Sequence, residues 1–87
     1  MGNDAGIKQL TGSGTTTLDS VFLYNICVNK TLTGTMTVKE GLNTVAVFAI
    51  GTTPNNYHQH AGGVRYYSLS IVLSAGDDVS ALTRFTS

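Results

Sequence analysis

Short runs in which apolar and polar residues alternate dominate this chain, and they predict β-strands rather than helices. In residues 21–29, one face of the predicted strand carries the side chains that we expect in the core: Phe22, Tyr24, Ile26 and Val28. The opposite face is also mostly apolar and carries Val21, Leu23, Asn25 and Cys27. A strand that is apolar on both faces is expected to lie centrally in its sheet and to be covered on both sides.

Two further strands are predicted over residues 35–40 and 44–50, separated by a tight turn that contains Gly41 and Asn43. The first should bury Met36 and Val38 and expose the residues between them, as expected of a half-exposed strand. The second is apolar on both faces, with Val45, Val47 and Ala49 opposed to Ala46, Phe48 and Ile50.

The remaining segments complete an all-β pattern of six to eight short strands. A short strand is expected within residues 7–10, a flexible segment up to Leu18, and an extended N-terminal arm over residues 1–13. Residues 51–63 predict a surface loop, residues 64–67 and 69–74 two strands, Asp77 and Asp78 a turn, and residues 79–85 a final strand. We therefore expect one domain over residues 1–87, a small antiparallel β-sandwich or jelly-roll-like fold.

The two-sided apolar strands exceed what one small core can cover, and this predicts self-association. We take Val21, Leu23, Val45 and Val47 as candidate interface residues. The alternative is that these side chains line the two inner faces of one sandwich. Charged residues are only 11% of the chain and the net charge is zero, so little electrostatic repulsion separates one copy from another.

Composition also argues against several classes of partner. The five basic and five acidic residues do not cluster, so the basic patch of a nucleic-acid-binding protein is missing. No apolar stretch is long enough to span a membrane, and the N-terminal residues do not form a signal peptide. Cys27 is the single cysteine; it excludes an intrachain disulfide, and we expect its thiol to be buried.

Side chains that could carry chemistry are few, and none of their patterns predicts a catalytic, cofactor-binding or metal-binding residue. His58 and His60 share the spacing of two ligands on one strand face, but no third ligand lies nearby in sequence. Asp77 and Asp78 are adjacent, so in a strand their carboxylates would point to opposite faces. Ser13, His58 and Asp19 are the residue types of a Ser/His/Asp catalytic triad, but their sequence context does not predict one.

Aromatic and polar residues around the predicted loop suggest a second kind of surface. Tyr57, Tyr66 and Tyr67 offer flat apolar faces of the kind that bind sugars, although aromatics in strands more often belong to a core or an interface. A shallow binding surface would consist of Tyr57, His58, His60, Arg65 and Tyr66. The rival hypothesis to a building block is therefore a free-standing carbohydrate- or receptor-binding module.

Three segments together resemble the small β-sandwich virion proteins of tailed bacteriophages. They are VFLYNICVN, TLTGTMTVKEGLNTVAVFAIG and VRYYSLSIVLSAGDDVSALTRF, and the resemblance extends over about residues 14–85. It implies a structural, non-enzymatic subunit located in the virion, such as a capsid decoration, head-fibre or tail-associated protein. It also implies a homo-oligomer, commonly a trimer, with capsid or tail proteins as partners, and it brings no catalytic residue or cofactor.

Overall fold

The computed structural model describes residues 5–57, 59 and 62–85, and these residues confirm an all-β protein. The described strands are β1 (Ala5–Val28), β2 (Met36–Glu40), β3 (Asn43–Phe48), β4 (Asn55–Tyr57) and β5 (Val64–Phe85). They form one antiparallel sheet in the order β3-β2-β5-β1-β4. Within the described residues there are thus five strands instead of six to eight, because β1 and β5 each include segments that the sequence pattern separates.

Strands β1 and β5 form a long two-stranded ribbon. Residues 5–12 pair with residues 77–84, and residues 14–19 pair with residues 68–73. The predicted flexible segment is therefore strand, and the described part of the predicted N-terminal arm is paired within the sheet. Gly12 and Gly14 have φ angles of 90° and 126°, which glycine adopts readily and other residues avoid, and they allow the ribbon to bend.

The sheet curls because β1 pairs with β5 along both edges of the same segment. After Ser20, which has a φ of 54°, residues 25–28 pair antiparallel with residues 79–82, on the edge that residues 5–12 leave open. Val21 consequently lies opposite both Tyr66 and Phe85. This curl brings the inner faces of all parts of the ribbon around one core.

In two segments that the sequence predicts as strands, residues 35–40 and 69–74, alternate apolar side chains lie in the core. Met36 and Val38 in β2, and Leu69, Ile71 and Leu73 in β5, are buried. The complete set of buried apolar side chains is Leu10, Val21, Leu23, Ile26, Val28, Leu32, Met36, Val38, Tyr66, Leu69, Ile71, Leu73, Val79 and Ala81. Ala46 and Phe48 of β3 pack against this core from the sheet edge.

The predicted alternation of residues 21–28 is wrong in its first half. Between the pairs Leu23 with Thr83 and Asn25 with Leu82, β1 contains one residue more than β5, so Tyr24 is the extra residue of a β-bulge. The bulge reverses the alternation: Val21 and Leu23 are fully buried, whereas Phe22 and Tyr24 are half-buried on the outer face. Cys27 is half-buried rather than buried.

Candidate functional site

The hairpin formed by β2 and β3 exposes an apolar surface at the edge of the sheet. β3 pairs with β2 on one side only, so its other edge is free in the described structure. Its outward side chains Val45 and Val47 are 45% and 63% exposed, and Leu42 in the turn and Ile50 beyond the strand are 94% and 69% exposed. We call these four residues the hairpin surface.

The predicted interface residues therefore divide into two groups. Val45 and Val47 lie on the hairpin surface, whereas Val21 and Leu23 belong to the chain's own core and have no exposed area. The assignment of Val21 and Leu23 to an interface is wrong, because the bulge at Tyr24 turns them inward.

The surroundings of the hairpin surface are almost free of charge. From Gly41 to Tyr57 the sequence contains no charged residue. Across the outer face, Val47 lies opposite Thr37, Thr37 opposite Val72, and Val72 opposite Thr15, which gives a continuous row of small uncharged side chains. Exposed edge strands in soluble proteins are usually protected by charged residues or proline. β3 contains neither.

The residues predicted to form a sugar-binding surface are not brought together. Tyr66 is only 3% exposed, and burial, followed by the negative charge of Glu40, raises the pKa of its hydroxyl. Arg65 lies on the outside, 4.8 Å above the ring of Tyr67. Tyr57 is half-buried, donates a hydrogen bond to the Thr53 carbonyl at 2.8 Å and contacts the Phe48 ring edge-on. His58 and His60 lie outside the described residues.

Asp77 and Asp78 lie within β5 and not in a turn, so that prediction is wrong. Asp77 accepts hydrogen bonds from the backbone and hydroxyl of Thr33 at 2.8 and 2.9 Å, and from the Gly34 N–H at 3.1 Å. The bond from the Thr33 backbone is the main reason that the pKa of Asp77 is lowered. The carboxylate thus fixes the loop between β1 and β2.

Asp78 belongs to a separate network on the outer face. Its carboxylate accepts hydrogen bonds from Gln9 at 3.0 Å and from Asn29 at 2.9 Å, and these bonds lower its pKa, with Gln9 as the largest cause. Because the two carboxylates bind groups in different places, they do not form a catalytic pair. Both have structural roles.

A depression of about 310 Å³ with both polar and apolar lining residues lies on the outer face beside this network. It is lined by Ile7, Asn25, Cys27, Asn29, Asn56, Ser80 and Leu82. The Asn25 amide donates a hydrogen bond to Asn56 at 3.2 Å, whereas its own carbonyl oxygen is buried and has no partner among the described residues. This depression cannot be predicted from the sequence pattern, because its residues come from β1, β4, β5 and the loop after β1, and only the outward positions of Asn25 and Cys27 follow from the alternation.

The remaining chemical candidates do not form a site in the described residues. Ser13 and Asp19 both lie in β1, while the histidine of that nominal triad is outside the described range. Among the residues that the structure describes, no three His, Cys, Asp or Glu side chains are close enough together to hold a metal ion. The same part of the chain contains no helix long and apolar enough to cross a membrane.

No protein-family model, curated protein or solved structure matches the chain.

Proposed function

We propose that this chain is a non-enzymatic structural subunit that associates with copies of itself through the hairpin surface. The observation that carries the proposal is the free, uncharged edge of β3, on which Val45 and Val47 are exposed. Apolar groups at a free strand edge favour pairing with another chain, because the unpaired backbone groups and the side chains are satisfied together.

A second copy of the same chain is the occupant that the charges favour. The chain has no net charge, and residues 41–57 contain no charged side chain that could repel an identical surface. In the hairpin, only Lys39 and Glu40 of β2 carry charges, and the Glu40 carboxylate accepts a hydrogen bond from the backbone of Tyr67 within its own chain. Two β3 edges can therefore approach without burying an unpaired charge.

Attachment to the virion of a tailed phage is the second part of the proposal, and it rests on the resemblance. Asp77 supports it indirectly, because its hydrogen bonds to Thr33 and Gly34 join the LTGT and GDD segments that carry the resemblance. A trimeric state and a sandwich-like fold belong to the same proposal. The double pairing of β5 with β1, which encloses one core, supports the sandwich.

Light scattering on a sizing column tests self-association directly. We expect a mass two or three times the 9.1 kDa of one chain, and a mass of three chains would support the trimer. The double variant Val45→Lys/Val47→Lys should shift the protein to the monomer. About half of each valine side chain is available for burial against a partner, which stabilises the complex by about 1 kcal/mol per valine. A pair of copies contains four such valines, so their loss should weaken association roughly 1,000-fold.

Val64→Lys is the matched control, because Val64 is 39% exposed but lies at the start of β5, outside the hairpin surface. It should leave the mass unchanged. A wild-type protein that stays monomeric at micromolar concentration contradicts the proposal. Mass spectrometry of purified phage particles from cells that make the chain tests the virion assignment, which fails if the chain stays with the free proteins.

A further inference from the structure

Leu42 is the most exposed large apolar side chain among the residues that the structure describes. It lies in the turn between β2 and β3 and is 94% exposed, so it adds nothing to the core of its own chain. Tight hairpin turns usually carry Gly, Asn or Asp, because these residues suit the backbone of the turn. Leu42 also belongs to the hairpin surface, and clustered exposed apolar residues mark an interaction site. A leucine at this position therefore suits contact with another molecule better than contact with water.

A second apolar feature, an open depression of about 160 Å³, lies towards the same end of the sheet. We call it the apolar depression; its lining residues are Gly6, Ile7, Lys8, Leu18, Thr83 and Phe85. Leu18 packs against the core, so the depression adjoins the core at its edge. Lys8 is the only charged residue of the six, and its methylene chain can line an apolar wall while the ammonium stays in water. The depression therefore suits an uncharged, apolar group.

Strand pairing places the turn and the apolar depression close together. Leu69 in β5 lies opposite Glu40, which precedes the turn, and also opposite Leu18 in the depression. Neighbouring strands are about 4.8 Å apart, so the backbones of Glu40 and Leu18 are about 10 Å apart. Leu42 nevertheless remains exposed and is not among the residues that line the depression. The side chain and the depression therefore do not fill each other within one molecule.

We propose that the apolar depression of each copy receives Leu42 of a neighbouring copy. This inference rests on the proposed function, because Leu42 is part of the hairpin surface. Size supports it: a cavity of about 150 Å³ with apolar walls is large enough for benzene, and the isobutyl group of leucine is smaller than benzene. The charges support it as well, since the turn residues Gly41 and Leu42 are uncharged and Lys8 is the only charged residue of the lining.

A second copy of this chain is the occupant that these features favour. The leucine and the depression that receives it occur on every copy and lie at one end of the molecule, so two copies can exchange Leu42 reciprocally. Three copies can instead form a closed ring, in which each copy inserts one leucine and receives one. Both arrangements agree with the mass of two or three chains that we expect of the proposed assembly.

Two variants remove the two halves of this contact separately. Leu42→Lys replaces the leucine with a charged side chain, which would meet apolar walls and the ammonium of Lys8. Gly6→Phe fills the depression, because a Cβ placed at Gly6 meets nothing within 4 Å and the φ of Gly6 lies outside the left-handed region. In light scattering on a sizing column, each variant alone should associate about tenfold or more weakly than the wild type, since burial of one leucine accounts for at least that factor.

An equimolar mixture of the two variants is the sharper test. The Leu42→Lys chain keeps its apolar depression and the Gly6→Phe chain keeps its leucine. The mixture should therefore form pairs with twice the 9.1 kDa of one chain, at a concentration where each variant alone is monomeric. Gly62→Phe is the matched control for Gly6→Phe, because an added Cβ at Gly62 also meets nothing within 4 Å and Gly62 lies outside the depression. It should keep the wild-type mass, as should Val64→Lys, the control for the added charge.

Isotope-filtered NMR supplies a measurement that needs no variant. In a mixture of ¹³C-labelled and unlabelled wild-type chains, we expect intermolecular NOEs between the methyl groups of Leu42 and the ring of Phe85. Absence of these NOEs in an associated sample, an unchanged mass for Gly6→Phe, or a mixture without pairs would each overturn the inference. If Val45→Lys/Val47→Lys still lowers the mass in that case, the proposed function stands and the hairpin surface binds another part of the neighbouring copy. A wild-type monomer would instead overturn both.

Discussion

Exchange of Leu23 for alanine tests the bulge in β1, because the bulge decides which residues of this strand enter the core. Leu23 has no exposed area, and it lies where β1 pairs with both Val64 and Thr83. Removing a fully buried leucine side chain costs about 2–5 kcal/mol, through lost burial and the cavity left behind. A chain of 87 residues is stable by only about 4–13 kcal/mol, so this variant loses a large fraction of its stability.

Phe22→Ala is the comparison, since regular alternation would bury Phe22 and expose Leu23. In the structure the Phe22 ring is half-buried on the outer face, with the Arg84 guanidinium 4.9 Å from its centre. Loss of this contact costs about 0.5–1 kcal/mol. Loss of the partial burial adds about 1 kcal/mol, which leaves Phe22→Ala near 2 kcal/mol or below.

Urea unfolding followed by circular dichroism measures both variants, at one protein concentration because self-association adds to apparent stability. We expect Leu23→Ala to lose more free energy of unfolding than Phe22→Ala, with similar m-values. In thermal unfolding, the Leu23 variant should melt about 10 °C or more below the wild type. If Phe22→Ala is the more destabilised of the two, the bulge at Tyr24 is refuted.

Three further predictions concern the loop and the buried titratable groups. Gly34→Ala should cost about 1–3 kcal/mol in urea unfolding, because its new methyl group would meet the side chain of Ser74 and lie 2.8 Å from the Cβ of Ala75. The lowered pKa of Asp77 contributes stability that is present above the unfolded-state pKa of about 3.9 and is lost as the pH falls through the folded-state value. The wild type should therefore lose stability in acid more steeply than Asp77→Asn. The raised pKa of Tyr66 gives the opposite pH dependence: its contribution to stability is present below about pH 10 and is lost as the pH rises through the folded-state value. In thermal unfolding at a series of pH values, Tyr66→Phe should therefore lose less stability at alkaline pH than the wild type.

Alternation predicted burial well where strand pairing is regular. In β2, and between Leu69 and Leu73 in β5, the register has no interruption on the shared edge, so period two in the sequence becomes two faces in the sheet. In β1 the single extra residue Tyr24 reverses the faces. The same apolar residues fit either register, so a bulge inside an apolar segment cannot be recognised from the sequence pattern.

Pairing between distant segments explains the strands that the sequence divided. Residues 14–19 contain Gly14 and three threonines, a composition typical of a flexible segment, but they pair with residues 68–73 far along the chain. Asp77 follows the same rule, since its partners Thr33 and Gly34 precede it by more than forty residues. Local composition describes neither the partner strand nor the loop that a carboxylate will bind.

Candidate surfaces were predictable only where they coincide with one strand. The exposed side chains Val45 and Val47 belong to a single apolar stretch, whose pattern predicts both as interface candidates. The depression lined by Asn25, Asn56 and Ser80 depends on the adjacency of three strands, which only the strand order provides. The proposed aromatic surface failed because Tyr66 faces inward while Arg65 faces outward.

The ribbon of β1 and β5 has a consequence for synthesis on the ribosome. Ala5 lies opposite Arg84, so the first described residues acquire their hydrogen-bonding partners only after residues 77–84 have been translated. A nascent chain cannot complete this sheet from its N-terminus onward, and folds dominated by such distant contacts form in about milliseconds to seconds. We therefore expect the sheet to form only after residues 77–84 have been translated, and a stop codon a few residues before position 77 to leave residues 5–12 and 25–28 without their partner in β5.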